Sequence, residues 1–134
     1  MTSEVLRKSS TGIPMVRGYR DLLVWQKGMA LVKEVYVLTR AFPDDERFGL
    51  ISQMRRAAVS IPSNIAEGQA RHSTGEFVQF LSHAEGSLAE LDTQLRVSNE
   101  LGFCVGAMAA RAESIAELAE ELRRMLNSLR RKLG

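Results

Sequence analysis

The sequence predicts an all-α protein with the antiparallel up-down-up-down architecture of a four-helix bundle. From Tyr19 onward, apolar residues recur every three or four positions, the spacing that gives a helix one buried face. No segment alternates polar and apolar residues as a half-buried strand does. The turn signals between the helical segments are short, and short connections make consecutive helices antiparallel neighbours.

The composition fits one domain that follows a separate N-terminal tail. The chain has 134 residues, 45% hydrophobic and 25% charged, which excludes a chain that is disordered throughout. Residues 1–18 form a basic flexible tail, and residues 19–134 form the bundle. The longest uncharged stretches are far shorter than the ~20 residues that cross a membrane. A single cysteine, Cys104, cannot form an internal disulfide, so we expect a cytoplasmic protein without membrane association.

Helix 1 is expected from about Asp21 to Phe42, where Pro43 ends it. Two apolar stripes fit this helix at once, although a helix in a monomer needs only one. One stripe contains Trp25, Met29, Val32 and Tyr36. Because the helix is buried from two directions, the other stripe is predicted to contact further copies of the chain in a homo-oligomer, through Val24, Leu31, Val35, Leu38 and Phe42.

Helix 2 follows an acidic turn at residues 44–46 and is expected to end near Gln69. Its inward positions are Leu50, Met54, Ala57, Ile61 and Ile65. Pro62 lies among them and has no amide hydrogen to donate to the carbonyl of Ala58. A kink or a short break is therefore expected near Pro62.

Helices 3 and 4 have the clearest apolar periodicity. Ser73 and Glu76 have the spacing of a capping box, so helix 3 is expected to begin there and to end at Gly102. Its inward positions are Phe77, Leu81, Ala84, Leu88, Leu91, Leu95 and Ser98. Helix 4 is expected from about Val105 to Leu129 or beyond.

Basic residues collect at one end of this predicted bundle, although the net charge of the chain is only +2. The start of helix 1, the connection between helices 2 and 3 and the end of helix 4 all lie at that end. Such a patch binds nucleic-acid phosphates without reading sequence. The competing interpretation is that these side chains only stabilise helix C-termini. The candidate phosphate contacts are Arg17, Arg20, Arg71, Arg123, Arg124, Arg130 and Arg131, with Arg55 and Arg56 as further candidates on helix 2.

For the polar groups of helix 2, an internal or inter-subunit hydrogen-bond network is the favoured interpretation. Glu67 and Arg71 have the i,i+4 spacing of a helical ion pair. Phosphate contact by Arg55, Arg56 or Arg71 is the alternative.

No catalytic or metal-binding constellation is present in the sequence. His72 and His83 would lie ~16 Å apart along one helix, too far to share a metal. Phosphate-loop, dinucleotide-binding and nucleophile-elbow motifs are absent. We therefore expect no cofactor, no small-molecule substrate and no enzymatic activity. The aromatic residues fall mostly at helix seams or ends, so base stacking on an exposed aromatic surface is not expected.

Four short motifs are distinctive: Tyr19–Leu22, Arg55–Ala58, Ser63–Gly68 and Gly86–Leu91. Together they resemble the 23S rRNA-intervening-sequence family of four-helix-bundle proteins, over residues from about 19 to 122. The resemblance implies an antiparallel bundle that assembles as a ring-like homopentamer. By analogy with a related branch, the accessory proteins of diversity-generating retroelements, it also implies nucleic-acid binding. It implies no catalytic residues.

Two functions remain open from the sequence. The first is a non-enzymatic oligomer that binds RNA or DNA through a repeated basic surface, where several copies add avidity. The second is an oligomeric scaffold for protein partners, in which the arginines only end helices and pair between subunits. Neutralising the arginines separates the two, because only the first predicts a loss of nucleic-acid binding.

Overall fold

The structure of the protein, a computed structural model, describes residues 18–134. The candidate contact Arg17 and all but the last residue of the expected tail lie outside this range. The described residues form four α-helices and no strand. These are α1 (Leu23–Thr39), α2 (Ser52–Gln69), α3 (Thr74–Glu100) and α4 (Ala107–Leu133).

The segment between α1 and α2 is less regular than the sequence predicts. A 3₁₀ turn at Asp44–Glu46 is followed by a wide π-type turn at Arg47–Ile51. Gly49 interrupts helical geometry there, with φ −109° and ψ −110°. The Glu46 side chain accepts a hydrogen bond from the amide of Leu50 at 3.1 Å, which stabilises the turn. Consequently α2 begins at Ser52, later than the acidic turn where the sequence placed its start.

Pro62 is accommodated inside an unbroken helix, because α2 runs continuously from Ser52 to Gln69. The short break, one of the two expectations at Pro62, is therefore absent, whereas a kink there stays a prediction; non-helical backbone is found at Gly49. Gly28 of α1 faces the proline: a Cβ at Gly28 would lie 3.4 Å from Pro62 Cβ. The missing side chain at Gly28 lets the two helices approach closely at this point.

Each helix packs mainly on two neighbours, in the cyclic order α1, α2, α3, α4. Contacts between α1 and α4 run in opposite directions along the two helices. Lys27, early in α1, pairs with Glu121 of α4 at 3.2 Å, and Glu34, later in α1, pairs with Arg111 near the start of α4. This opposite order is that of antiparallel neighbours.

Helix α1 contributes its most apolar stripe to the core of its own chain. The five residues predicted to contact further copies are at most 5% exposed in the single chain: Val24, Leu31, Val35, Leu38 and Phe42. This is a correction to the predicted interface, because side chains buried in this way have no surface for a second chain. The double stripe has a local explanation, since α1 packs on both α2 and α4. On the stripe of Trp25, Met29, Val32 and Tyr36, the side chain of Met29 is 45% exposed.

Both ends of α3 follow from the sequence. Ser73 Oγ accepts a hydrogen bond from the amide of Glu76 at 3.1 Å, which confirms the predicted cap. At the other end Gly102 has φ +79°, and the amide of Phe103 donates to the carbonyl of Ser98 at 3.0 Å. This is the Schellman arrangement that a glycine permits after a helix.

Candidate nucleic-acid interface

The predicted basic end of the bundle is assembled from three chain segments, as expected. Leu23 at the start of α1 and Lys132 near the end of α4 line the same groove. Gly134 lies beside Val78 in the first turns of α3, and Gly68 near the end of α2 lies against Phe80. The start of α1, the α2–α3 connection and the end of α4 are therefore neighbours.

Most of the arginines at that end already have acidic partners. Ion pairs involve four of the six candidates there that the structure describes: Arg71 with Glu67 at 2.8 Å, Arg123 and Arg124 with Glu120 at 2.6 and 3.2 Å, and Arg130 with Glu85 at 2.7 Å. The Glu67–Arg71 pair is the one that its i,i+4 spacing predicts. Arg20 and Arg131 form no ion pair with another described residue.

Two groups in these ion pairs have pKa values shifted by their partners. A hydrogen bond from Arg123 lowers the pKa of Glu120, and the nearby charges of Arg123 and Arg124 lower it further. The pKa of Arg130 is raised, because its guanidinium donates to Glu85. Both shifts favour the charged forms, so the ion pairs of Glu120 and Arg130 offset positive charge at this end.

A groove between α3 and α4 shows the same compensation. It has a volume of about 400 Å³ and is lined by three acidic and two basic side chains, namely Glu85, Asp92, Arg96, Glu120 and Arg123. Asp92 pairs with Arg96 at 3.0 Å within α3. Acids outnumber arginines here, so this groove offers no net attraction to phosphate.

A larger groove between α1 and α2 has a different charge. Its volume is about 740 Å³, and the described residues that line it include Arg47, Arg55 and Arg56 but no acidic side chain. No ion pair joins any of these three arginines to an acid among residues 18–134. The two candidates on helix 2 are thus brought together with Arg47, which the sequence did not single out.

Arg55 is held in the wall of the groove by neutral groups. Its Nε donates to Thr39 Oγ1 at 2.9 Å, and its guanidinium carbon lies 4.4 Å from the centre of the Tyr36 ring. Thr39 is fully buried and donates its own hydroxyl hydrogen to the Val35 carbonyl at 2.8 Å. Because neither partner carries negative charge, Arg55 is positioned without being neutralised.

Phe48 stands at the edge of this groove with 90% of its surface exposed. The Arg47 guanidinium lies 5.9 Å from the centre of its ring. Phe48 is therefore an exception to the predicted placement of the aromatic residues at helix seams or ends, which was the reason for expecting no base stacking on an exposed aromatic surface. The signal in the sequence is weak: Phe48 precedes a glycine and falls outside the inward positions of helix 2.

The described residues contain no group of three His, Cys, Asp or Glu side chains placed to hold a metal ion. Within the same range, no helix combines the length and apolar character that a membrane crossing needs. Cys104 is half-buried, and burial raises the pKa of its thiol. A raised pKa leaves less of the reactive thiolate at neutral pH.

Comparison with known proteins identifies relatives at the level of family and fold. A family model described as "23S rRNA-intervening sequence protein" matches residues 20–128. A crystal structure from Bacteroides thetaiotaomicron VPI-5482, described as a protein with unknown function from the S23 ribosomal protein family, is 21% identical. The match covers 80% of this chain and 97% of that one, with a TM-score of 0.69, and supports the fold. No curated protein matches the chain.

Proposed function

The chain belongs to the family of 23S rRNA-intervening sequence proteins, and from this premise we propose that it binds the phosphate backbone of RNA or DNA as a non-enzymatic oligomer. One observation carries the proposal. Three arginines line the groove between α1 and α2, and no acidic side chain lines it with them. Arginines without acidic partners can neutralise phosphates and release the counterions that surround nucleic acid.

The bundle end is a weaker candidate for the same contact. Four of its arginines already form ion pairs: Arg71 with Glu67, Arg130 with Glu85, and both Arg123 and Arg124 with Glu120. A phosphate would have to displace these carboxylates, whereas in the groove it meets guanidinium groups that pair with no carboxylate of residues 18–134. We therefore assign the main contact to Arg55 and Arg56, and a minor one to Arg20 and Arg131.

Several copies of the chain make such a contact effective. Three arginines in one protomer bind weakly, and linking copies turns each further contact into an intramolecular one. We propose a homo-oligomer, with the pentamer that the family resemblance implies. Its contacts would use the outward stripe of α1, which includes Trp25 and the 45% exposed Met29.

Filter binding of a structured RNA across a salt series tests the proposal. Arg56 is exposed and has no ion pair within residues 18–134, so Arg56→Ala should leave the fold intact. We expect it to weaken binding roughly 5- to 30-fold, the value of about 1–2 kcal/mol for a charge-assisted contact. The slope of affinity against salt should fall by about 1.

Arg124→Ala is the matched control, because Arg124 is also an exposed helical arginine but is paired with Glu120. It should change binding little. If Arg56→Ala and Arg124→Ala lose RNA affinity equally, the bundle end contributes to the phosphate contact as much as the groove does. Binding that does not respond to salt would contradict backbone recognition altogether.

An oligomeric scaffold for protein partners is the second candidate. Exposed apolar side chains favour it, since Phe48 and Val59 of the groove are 90% and 40% exposed. Exposed apolar surface of this kind is typical of protein contacts. In the scaffold, Arg56→Ala would leave RNA binding unchanged, and light scattering of the same variant would show altered oligomer mass.

A further inference from the structure

Phe48 has a position that the fold alone does not explain. Its ring is 90% exposed on the turn at Arg47–Ile51, and it makes no ring contact with another aromatic side chain of the described residues. Four other rings near α1 form two pairs, Tyr19 with Trp25 at 5.3 Å and Phe42 with Phe103 at 5.4 Å, and the Tyr36 ring lies against Arg55. Phe48 therefore presents a free ring face next to a basic groove.

The groove contains aromatic rings and guanidinium groups in close contact. The Arg47 guanidinium lies 5.9 Å from the centre of the Phe48 ring, and the Arg55 guanidinium lies 4.4 Å from the centre of the Tyr36 ring. Proteins that hold single-stranded nucleic acid combine these two groups, because bases stack on rings while the phosphates contact arginines. In a duplex the bases are already stacked on each other, and only the phosphates could use this groove.

We propose that the groove between α1 and α2 binds an unpaired segment of nucleic acid, with one base stacked on Phe48 and the adjoining phosphates on Arg55 and Arg56. This inference rests on the proposed function and narrows it from nucleic acid in general to unpaired strands or loops. The positive charge of the groove selects a polyanion as its occupant, since a neutral apolar partner would leave three arginines without counter-charge.

The dimensions of the groove agree with this occupant. Its volume of about 740 Å³ lies within the range of about 300–1,000 Å³ typical of sites for small organic molecules, a size class that includes a nucleotide. Ser60 and Ser63 also line the groove. Each hydroxyl donates its hydrogen to a backbone carbonyl of α2, at 2.9 and 2.8 Å, and keeps lone pairs that can accept from a base amino group.

The experiment compares an unstructured oligonucleotide with the duplex of the same sequence, each made as RNA and as DNA, by fluorescence anisotropy on the full chain. Phe48→Ala should weaken binding of the single strand about tenfold, within the range for one stacked base. Phe48→Leu, which keeps apolar bulk but has no aromatic face, should lose a similar factor. Binding of the duplex should stay the same, and so should the slope against salt.

Leu101→Ala is the matched control, because it removes another exposed apolar side chain, 56% exposed and outside the groove. It should leave binding unchanged. Circular dichroism should show that all variants keep the helical fold, since Phe48 contributes little buried surface.

Each result distinguishes the inference from the function on which it rests. One result would refute base stacking and leave backbone binding standing: Phe48→Ala changes the affinity for neither the single strand nor the duplex, while Arg56→Ala weakens the affinity for both. If neither variant has an effect, both proposals fail. If Phe48→Ala lowers oligomer mass without changing binding per protomer, a second copy of the chain covers the ring, and the inference is overturned.

Discussion

The groove between α3 and α4 and the groove between α1 and α2 both contain arginines, but the surroundings of those arginines differ in charge. Between α3 and α4 the arginines face Glu85, Asp92 and Glu120, and each carboxylate is engaged by one or more guanidinium groups. Between α1 and α2, Arg55 is held by a threonine hydroxyl and a tyrosine ring instead. The difference teaches that the number of arginines on a surface is a poor measure of its affinity for phosphate. What counts is the charge of the groups that position them.

The exposed ion pairs near α4 add little to the stability of the fold. Arg123 and Arg124 are 52% and 63% exposed where they meet Glu120, and pairs in water are screened. Their main effect is to cancel charge. Single substitutions can therefore change the charge of either groove with little loss of stability.

The largest change in RNA affinity is expected from placing an acidic side chain in the groove between α1 and α2. Arg56→Glu replaces a positive charge with a negative one beside Arg55, so it repels phosphate and offers Arg55 a carboxylate. We expect RNA affinity to fall about 100-fold, twice the free-energy loss of a single charge-assisted contact. The melting temperature should change little, since Arg56 is exposed. If filter binding showed an unchanged RNA affinity, the groove between α1 and α2 would not be the phosphate-binding one.

A smaller change, an increase in RNA affinity, is expected from removing the acidic group that pairs with Arg123 and Arg124. Glu120→Gln frees both arginines, and RNA affinity should rise about threefold to tenfold. The salt dependence should steepen by up to about 1.4, from ~0.7 for each of two added phosphate contacts on a single strand. Glu113→Gln on the same helix is the control, because it removes an equal charge that forms no ion pair with any residue from 18 to 134. Equal gains in both variants would point to net charge alone.

The smallest effect concerns the positioning of Arg55. Thr39→Val keeps the shape of the side chain and removes the oxygen that accepts from Arg55 Nε. We expect a loss of about 1–3 kcal/mol in the free energy of unfolding, because the half-buried charged donor Arg55 Nε loses its partner. RNA affinity should fall about twofold to threefold as Arg55 gains freedom. Thr93→Val is the control, since Thr93 makes the same bond to its own helix but holds no arginine.

The sequence predicted well what depends on local spacing. The cap at Ser73, the glycine after α3 and the ion pair from Glu67 to Arg71 are all set by residues within one or two helical turns. It failed where the outcome depends on how helices align. The pair of Arg130 with Glu85 joins α4 to α3, and it can be found only once their relative register is known.

The stripe on α1 shows the same limit. Periodicity identified Leu31 and Val35 as buried, but it could not say whether their partners belong to the same chain or to another. Phe48 was missed for a related reason. Phe48 lies on the turn where Gly49 departs from helical geometry, so the helical pattern of apolar residues does not predict its exposure.

The turn at Arg47–Ile51 has one consequence for the evolution of this bundle. A π-type turn winds more slowly than an α-helix, so a residue gained or lost there swings the side chains around the helix axis by a large angle. The core positions of α2 begin only at Met54 and would keep their places. Descendants of this chain could therefore redirect the ring at position 48 through changes of segment length alone, and so exchange one ligand for another while the interior stays as it is.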